Sequence, residues 1–112
     1  MKNLSNEEKK CPISYTLSIV GGRWKWLILY KIFKEKHIRY GKLRRSLPSI
    51  TDKVLSNYLK ELTNDNIISR KVYEEVPIKV EYSLTLKGKT LIPILNLMAN
   101  WGDENRNDIE NI

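Results

Sequence analysis

The sequence predicts a mainly α-helical domain with a small β-hairpin, an α+β fold, and two patterns predict it. Apolar residues recur every three or four positions through most of the chain, the spacing of a buried helix face. Between residues 68 and 85 the spacing changes to two, which is typical of strands. With 112 residues the chain is long enough for one core, so we expect 1–112 to be a single domain, with an N-terminal arm at 1–10 and an acidic tail at 102–112.

The composition is that of a folded protein with an uneven excess of positive charge. Apolar residues make up 41% of the chain and charged residues 29%, which excludes an intrinsically disordered chain. The formal net charge is +7, and residues 23–89 alone carry sixteen basic and seven acidic side chains, a net charge of +9. Basic charge concentrated in one part of a domain indicates a polyanionic partner such as DNA.

Several classes of function lack the residues they need. No apolar run approaches the roughly 20 residues of a membrane span, and the N-terminus has no apolar signal region, so we expect a cytoplasmic protein without a membrane partner. The single cysteine, Cys11, excludes an intrachain disulfide. With His37 as the single histidine, no zinc site, phosphate-binding glycine loop or Ser/His/Asp set is evident. We therefore expect no enzyme activity, cofactor or metal.

Two helices are predicted first. Pro12 suits the first turn of a helix because its missing N–H has no intrahelical partner there, and Gly21-Gly22 ends this helix after an apolar face of Ile13, Leu17 and Val20. Residues 23–36 form a Trp-rich core helix that we expect to be buried on most sides. Aromatic residues at helical spacing can also line a ligand pocket, but core packing is the more common role.

The middle of the chain predicts two short helices joined by a tight turn. Residues 37–39 are a candidate strand, residues 40–47 form a compact basic helix, and Pro48-Ser49 breaks it. Thr51 then caps an amphipathic helix that continues to Leu62 and ends at residues 64–66, where Asn can adopt the left-handed conformation. This order is that of a helix-turn-helix, whose second helix enters the DNA major groove.

Two strands follow, and then a long apolar helix. Residues 68–73 and 80–85 alternate as strands around a Pro-containing loop, which makes a wing after the second helix. A helix is predicted from Leu86 to Trp101, where Pro93 should bend it or start a new segment. Its apolar face is wider than so small a domain needs. We therefore expect a winged helix-turn-helix that forms a homodimer through its N- and C-terminal helices.

The polar side of the second helix is the candidate DNA-reading surface. Hydroxyls, amides and ammonium groups hydrogen-bond to base edges, and the candidates for base contacts are Thr51, Lys53, Ser56 and Asn57. Basic side chains of the motif and the wing are candidates for phosphate contacts: Arg44, Arg45, Lys60, Arg70, Lys71 and Lys79. A merely solvated polar face is the alternative, and the neighbouring basic helix and wing favour DNA.

Taken together, these motifs resemble the HxlR-type winged-helix transcriptional regulators of the wider MarR-like group. The resemblance covers residues 11–101 and rests on the order of several short segments: Cys11-Pro12, Gly21-Gly22-Arg23-Trp24, Arg39-Tyr40-Gly41-Lys42-Leu43, Ile50-Thr51-Asp52-Lys53-Val54-Leu55-Ser56, Leu59-Lys60-Glu61-Leu62, Arg70, and Val80-Glu81-Tyr82-Ser83-Leu84-Thr85 with Gly88. Arg23 and Asn66 depart from the Lys and Gly usual in the family. The resemblance implies a cytoplasmic bacterial homodimer that binds a palindromic operator in double-stranded DNA.

The resemblance also implies a role for Cys11, because many such regulators sense oxidants or electrophiles through a cysteine at this place. A helix N-terminus and the adjacent Lys9 and Lys10 both favour the reactive thiolate. The alternative is a structural Cys11 in an effector-independent regulator. Two other interpretations stay open: a winged-helix module that binds an acidic protein, and, more remotely, an enzyme that uses Cys11 and His37.

Overall fold

Helices dominate residues 5–106, the part of the chain that the computed structural model describes. The helices are α1 (Asn6–Lys10), α2 (Pro12–Val20), α3 (Lys25–Glu35), α4 (Tyr40–Arg45), α5 (Asp52–Asn64), α6 (Leu86–Lys89) and α7 (Ile92–Asn105). The strands are β1 (Ile38–Arg39), β2 (Ile68–Tyr73) and β3 (Lys79–Leu84). The predicted α+β fold with a small hairpin is confirmed.

The three strands form one antiparallel sheet in the order β1-β3-β2. β2 and β3 pair along their whole length, from Ile68 opposite Leu84 to Tyr73 opposite Lys79, and they make the predicted wing. The short β1 adds to the other edge of β3, where Ile38 lies opposite Tyr82. Because β1 directly precedes α4, this pairing fixes the wing relative to the helix-turn-helix.

The core lies between α3, α5 and the sheet. α3 contributes Ile28, Leu29 and Ile32, and the inner face of α5 contributes Leu55, Leu59 and Leu62, all buried. The prediction that the helix over residues 23–36 is buried on most sides was wrong. Trp26 and Phe33 are 43% and 42% exposed, because they lie seven residues apart on one stripe that faces away from the packed neighbours.

The last predicted helix is two helices. α6 ends at Lys89, and α7 begins at Ile92 with Pro93 in its first turn, where proline is tolerated. α7 then continues to Asn105, four residues into the segment predicted to be an acidic tail. Its end is held by a hydrogen bond from Asn105 Nδ2 to the Trp101 carbonyl (2.9 Å) and by the Arg106–Asp103 ion pair (2.9 Å). The rest of that tail, 107–112, and residues 1–4 of the arm lie outside the described residues.

A close backbone contact positions the wing between α5 and α6. Asn66 has φ of 61°, which confirms the left-handed residue predicted at the end of α5. The Thr85 hydroxyl accepts a hydrogen bond from the Gly88 N–H (2.9 Å) and donates to the Asn66 carbonyl (2.7 Å). A Cβ on Gly88 would lie 2.1 Å from the Ile67 carbonyl oxygen, so glycine is required for α6 to dock here.

Candidate nucleic-acid interface

α4, a six-residue turn and α5 form the helix-turn-helix. Thr51 is the N-cap of α5, because its Oγ1 accepts a hydrogen bond from the Val54 N–H (3.2 Å), as predicted. Leu43 in α4 and two residues of the turn, Leu47 and Ile50, are buried in the core. These anchors fix the outward orientation of the polar face of α5.

Lys53, Asn57 and Lys60 lie along the outer face of α5. They are separated by four and three residues, so their side chains share one stripe, and all three are exposed. Among the side chains that the structure describes, those of residues 5–7 and 10–106, none is a hydrogen-bond or ion-pair partner that would hold them against the protein. Two cations and an amide are therefore available to a ligand along about two turns of the helix.

The other two candidates for base contacts, Thr51 and Ser56, are partly engaged inside the protein. The Thr51 oxygen accepts the capping hydrogen bond, which leaves its O–H as a donor. Ser56 is half-buried and hydrogen-bonds with the Tyr40 hydroxyl. The Thr51 hydroxyl caps α5 and Ser56 faces Tyr40 of α4, so both are less available for base edges than Lys53 and Asn57.

A polar cluster joins the start of α5 to α4. Arg44 Nε donates to Asp52 Oδ1 at 2.7 Å, and the Tyr40 hydroxyl donates to the same oxygen at 3.0 Å. The hydrogen bond from Arg44, followed by that from Tyr40, holds the pKa of Asp52 below its ordinary value. Burial raises the pKa of Tyr40. Arg44 also donates to the Leu47 carbonyl (3.2 Å), so this predicted phosphate contact is already paired with a carboxylate.

On the wing, two of the predicted phosphate contacts lie against an aromatic ring. The ammonium groups of Lys71 and Lys79 are 4.8 and 4.5 Å from the centre of the Tyr73 ring. Lys79 Nζ is also 3.6 Å from Glu81 Oε2, and the Tyr73 hydroxyl donates to Glu81 Oε1 (3.2 Å). These contacts hold Lys79 in the wing. Arg70, by contrast, is exposed.

A cleft of about 900 Å³ is lined by residues of the wing, β1 and α4. Arg45 of α4 and Arg70 of β2 both line it, so the structure brings these two predicted phosphate contacts to one cleft. Arg39 and Lys42 line it as well, although they were not among the predicted phosphate contacts. The alternation of apolar Ile38 with basic Arg39 in the candidate strand was the sequence signal that could have identified Arg39.

Cys11 lies on a different element, at the N-cap position of α2, and is half-buried. The backbone N–H of Ser14, followed by the Ser14 side chain and the Ile13 N–H, lies near the sulfur and holds the pKa of Cys11 below its ordinary value. These donors all belong to the first turn of α2. Unpaired N–H groups at a helix N-terminus stabilise a thiolate in this way.

α2 and α7 each carry exposed apolar side chains. Ile13 of α2 is 71% exposed and Trp101 of α7 is 69% exposed. Leu17 of α2 and Leu97 and Met98 of α7 are exposed as well. No helix among residues 5–106 is long and apolar enough to cross a bilayer. The same residues contain no group of three or more His, Cys, Asp or Glu side chains arranged to hold a metal ion.

A helix-turn-helix followed directly by a two-stranded wing defines a winged-helix DNA-binding protein. The chain belongs to the HxlR family: the model of HxlR-like helix-turn-helix proteins matches residues 19–110. Members of this family are transcriptional regulators and not enzymes, so the chain is a transcriptional regulator of HxlR and MarR type.

Relatives of known name agree with this assignment. The chain is 54% identical over 106 residues to MalR of Fusobacterium mortiferum, whose name describes a regulatory protein, and the match covers 94% of this chain and all of MalR. The redox regulator HypR in its reduced form has a TM-score of 0.83 and 43% identity, over 91% of this chain and 100% of HypR. Reduced YodB of B. subtilis, a transcriptional regulator, has a TM-score of 0.76 and 33% identity, over 88% of this chain and 96% of YodB.

Proposed function

We propose that the chain is a single-domain, cytoplasmic regulator that binds a palindromic operator as a homodimer. Modification of Cys11 changes its affinity for that operator. The observation that carries the DNA-reading part is the unpaired stripe of Lys53, Asn57 and Lys60 on the outer face of α5. Its side chains match what base edges and phosphates require. The effector-independent regulator is the alternative to the Cys11 switch, and the experiments below separate the two.

The proposed operator contacts are of two kinds: base contacts, which read the sequence, and phosphate contacts, which position the protein on the DNA. Lys53 and Asn57 are the first candidates for base edges, with the Thr51 and Ser56 hydroxyls in supporting roles. Arg45, Lys60 and Arg70 are the first candidates for phosphates, and Lys71, Lys79 and Arg44 follow because each already contacts a ring or a carboxylate. In a homodimer the two copies of α5 would lie in successive major grooves, about 34 Å apart.

The operator is found by selection of DNA fragments with the reduced protein, and Asn57→Ala then tests the reading helix. We expect the substitution to weaken operator binding about tenfold or more, because a bidentate amide–adenine contact discriminates bases by about 1–3 kcal/mol. Affinity for random DNA of the same length should hardly change, since Asn57 carries no charge. Equal losses on both DNAs would remove Asn57 from the base contacts.

The same selection separates DNA binding from the competing protein-interaction module. A regulator enriches one sequence from the pool and holds it against an excess of random duplex. A module built for an acidic protein would bind all fragments equally weakly, through charge alone.

The homodimer is proposed to use the exposed apolar side chains of α2 and α7. Burying side chains such as Ile13 and Trp101 against a second copy would remove them from water. Sedimentation equilibrium should give a dimer for the wild type and a shift toward monomer for Trp101→Glu. Val76→Glu, at a fully exposed position of the wing, is the matched control and should leave the dimer intact. A wild-type monomer at micromolar concentration would refute the proposal.

Cys11 is proposed as the site where an oxidant or electrophile acts, and its lowered pKa and the redox regulator HypR among its relatives support this. As the chain has no second cysteine, three products are available. Two Cys11 thiols of a dimer can each give up one proton and one electron to diamide and form a disulfide. One thiolate can instead exchange into a mixed disulfide with a small disulfide, or add to the electrophilic carbon of a quinone.

Cys11→Ser tests the sensor directly, because it removes the single thiol of the chain. The variant should bind the operator as tightly as the reduced wild type, and diamide or quinone should no longer change its affinity. Cys11→Ala is the control for any effect of the serine hydroxyl at the N-cap. A Cys11→Ser protein that still responds would exclude Cys11 as the sensor. A wild type that does not respond would leave the effector-independent regulator with a structural Cys11.

A further inference from the structure

Lys25 is the one buried basic side chain among residues 5–7 and 10–106, whose side chains the structure describes, and its partners lie on two other helices. It begins α3 and is 1% exposed. Its Nζ donates to the Ser18 carbonyl of α2 (3.3 Å) and lies 3.5 Å from Glu61 Oε2 of α5. A lysine is rarely buried this completely without a specific reason. Here a single ammonium group contacts both the helix that carries Cys11 and the helix proposed to read DNA.

At the α2 end, Lys25 completes the helix terminus. The last carbonyls of a helix have no intrahelical partners. In α2 the Leu17 carbonyl accepts the Gly21 N–H (2.6 Å), and the neighbouring Ser18 carbonyl accepts the ammonium of Lys25. A positive charge is also favoured at this end by the helix dipole. Cys11 is at the opposite end of the same nine-residue helix.

At the α5 end, two contacts one turn apart join the recognition helix to the α2–α3 junction. Glu61 forms an ion pair with Lys25, and Tyr58, three residues earlier on the same face, approaches the turn. Its hydroxyl lies 3.7 Å from the place where a Cβ of Gly22 would be. Glu61 is about one-third exposed, so its carboxylate reaches the buried ammonium from the surface. The inner face of α5 is thereby fixed to the end of α2 by charge and by shape.

We infer that Lys25 is a positioning residue that ties the recognition helix α5 to the end of α2, so that the two helices move together and a displacement of α2 changes DNA reading. The inference rests on the proposed DNA-reading role of α5. Lys25 itself touches no DNA in this scheme. It acts through Glu61. Removing the Glu61 carboxylate should therefore also destabilise the end of α2 at Ser18 and Gly21, on the far side of the ammonium group.

Hydrogen exchange of the backbone amides tests the tie without DNA. In Glu61→Ala, the Gly21 amide at the end of α2 should exchange about tenfold faster or more, together with amides of α5. The amide of Thr85, which follows the wing, should stay at its wild-type rate. Glu61→Gln keeps an acceptor oxygen and should lie in between. Glu35→Ala, which breaks the exposed Lys42–Glu35 pair (2.9 Å), is the matched control and should leave Gly21 unchanged. Faster exchange confined to α5 would overturn the tie.

Operator binding tests whether the tie serves DNA reading. Glu61→Ala should lose about tenfold or more in the ratio of operator to random-DNA affinity, and in a Lys25→Met background the same change should have almost no further effect, because the contact is already broken. A ratio equal to that of the wild type, or losses that multiply in the double variant, would overturn the role in reading. If Lys25→Met does not fold, Glu61→Ala and Glu61→Gln decide the question. A wild type with no preferred sequence would refute the proposed function, and hydrogen exchange would still decide the tie.

Discussion

The contrast between free and paired basic residues predicts how strongly each one contributes to the salt dependence of DNA binding. Lys60 is exposed, and no partner holds it against the described part of the chain, whereas Arg44 Nε lies 2.7 Å from a carboxylate oxygen of Asp52. Each phosphate neutralised by a free cation changes the slope of log K against log[salt] by about −0.9. A paired guanidinium brings little net charge to the phosphate and should release fewer counterions.

Lys60→Ala removes one such contact from each protomer of the proposed dimer, so the slope should become less steep by about 1.8. Between 50 and 200 mM salt the wild type should then lose roughly 12-fold more affinity than the variant. Arg44→Ala should change the slope by less than half as much. The double variant Arg44→Ala/Asp52→Ala, which conserves net charge, should change it hardly at all.

The assay is fluorescence anisotropy with a labelled operator at four or more salt concentrations. Lys34→Ala is the control for lost charge away from the interface, because its ammonium lies 5.2 Å from the centre of the Tyr30 ring, and the Tyr30 hydroxyl donates to Asn96 of α7. Its slope should equal that of the wild type. An Arg44→Ala slope that changes as much as the Lys60→Ala slope would refute the argument that pairing with Asp52 removes Arg44 from the phosphate contacts.

Three further predictions concern stability and are measured by urea denaturation. Gly88→Ala should cost about 2 kcal/mol or more, because its Cβ would meet the Ile67 carbonyl oxygen at 2.1 Å, whereas Gly102→Ala, with nothing within 4 Å, should stabilise α7 by about 0.5–1 kcal/mol; a smaller loss at position 88 would contradict the close contact. Thr51→Ala should cost about 1 kcal/mol through the lost N-cap of α5 and Thr51→Ser much less, and equal losses would show that the hydroxyl is not the cap. Asp52 has a lowered pKa in the folded protein, so its stabilising effect is complete above the unfolded value near 3.8 and is lost as the pH falls through the lower folded value. The difference in midpoint between wild type and Asp52→Asn should therefore be constant from pH 6 to 5 and shrink below pH 4, and a difference that grows in acid would contradict the sign.

The sequence was most informative where one residue type has one local role. Thr51 before an amphipathic run predicted the N-cap, and an Asn within residues 64–66 predicted the left-handed residue. Pro93 predicted a bend or the start of a new segment. The structure confirms the cap, the left-handed Asn66 and the new segment. Each depends on backbone hydrogen bonds or dihedral angles within about four residues. A single sequence contains that information directly.

The candidate site was less predictable because its members are sorted by contacts across the fold. Nothing in the local sequence distinguishes Arg44 from Arg45, yet the first is paired with Asp52 eight residues away, and the second is exposed beside the cleft. Trp26 and Phe33 were expected in the core because their helical spacing widens the apolar stripe of the core helix. Their exposure depends on which faces of α3 its neighbours cover, and this is decided by the packing of whole helices.

The burial of Lys25 was the least predictable feature, because sequence analysis assigns lysine residues to the surface. Its burial has an energetic consequence. Removing an ammonium group from water costs several kcal/mol, and a buried ion pair is often no more stabilising than apolar side chains of the same volume. A gain in stability therefore gives little reason for a charge between α2 and α5. A fixed geometry gives a better one, because an ammonium group that hydrogen-bonds to the Ser18 carbonyl and pairs with Glu61 holds the two helices at a defined distance. On this reasoning Lys25→Met should change the difference in binding free energy between operator and random DNA by more than it changes the free energy of unfolding.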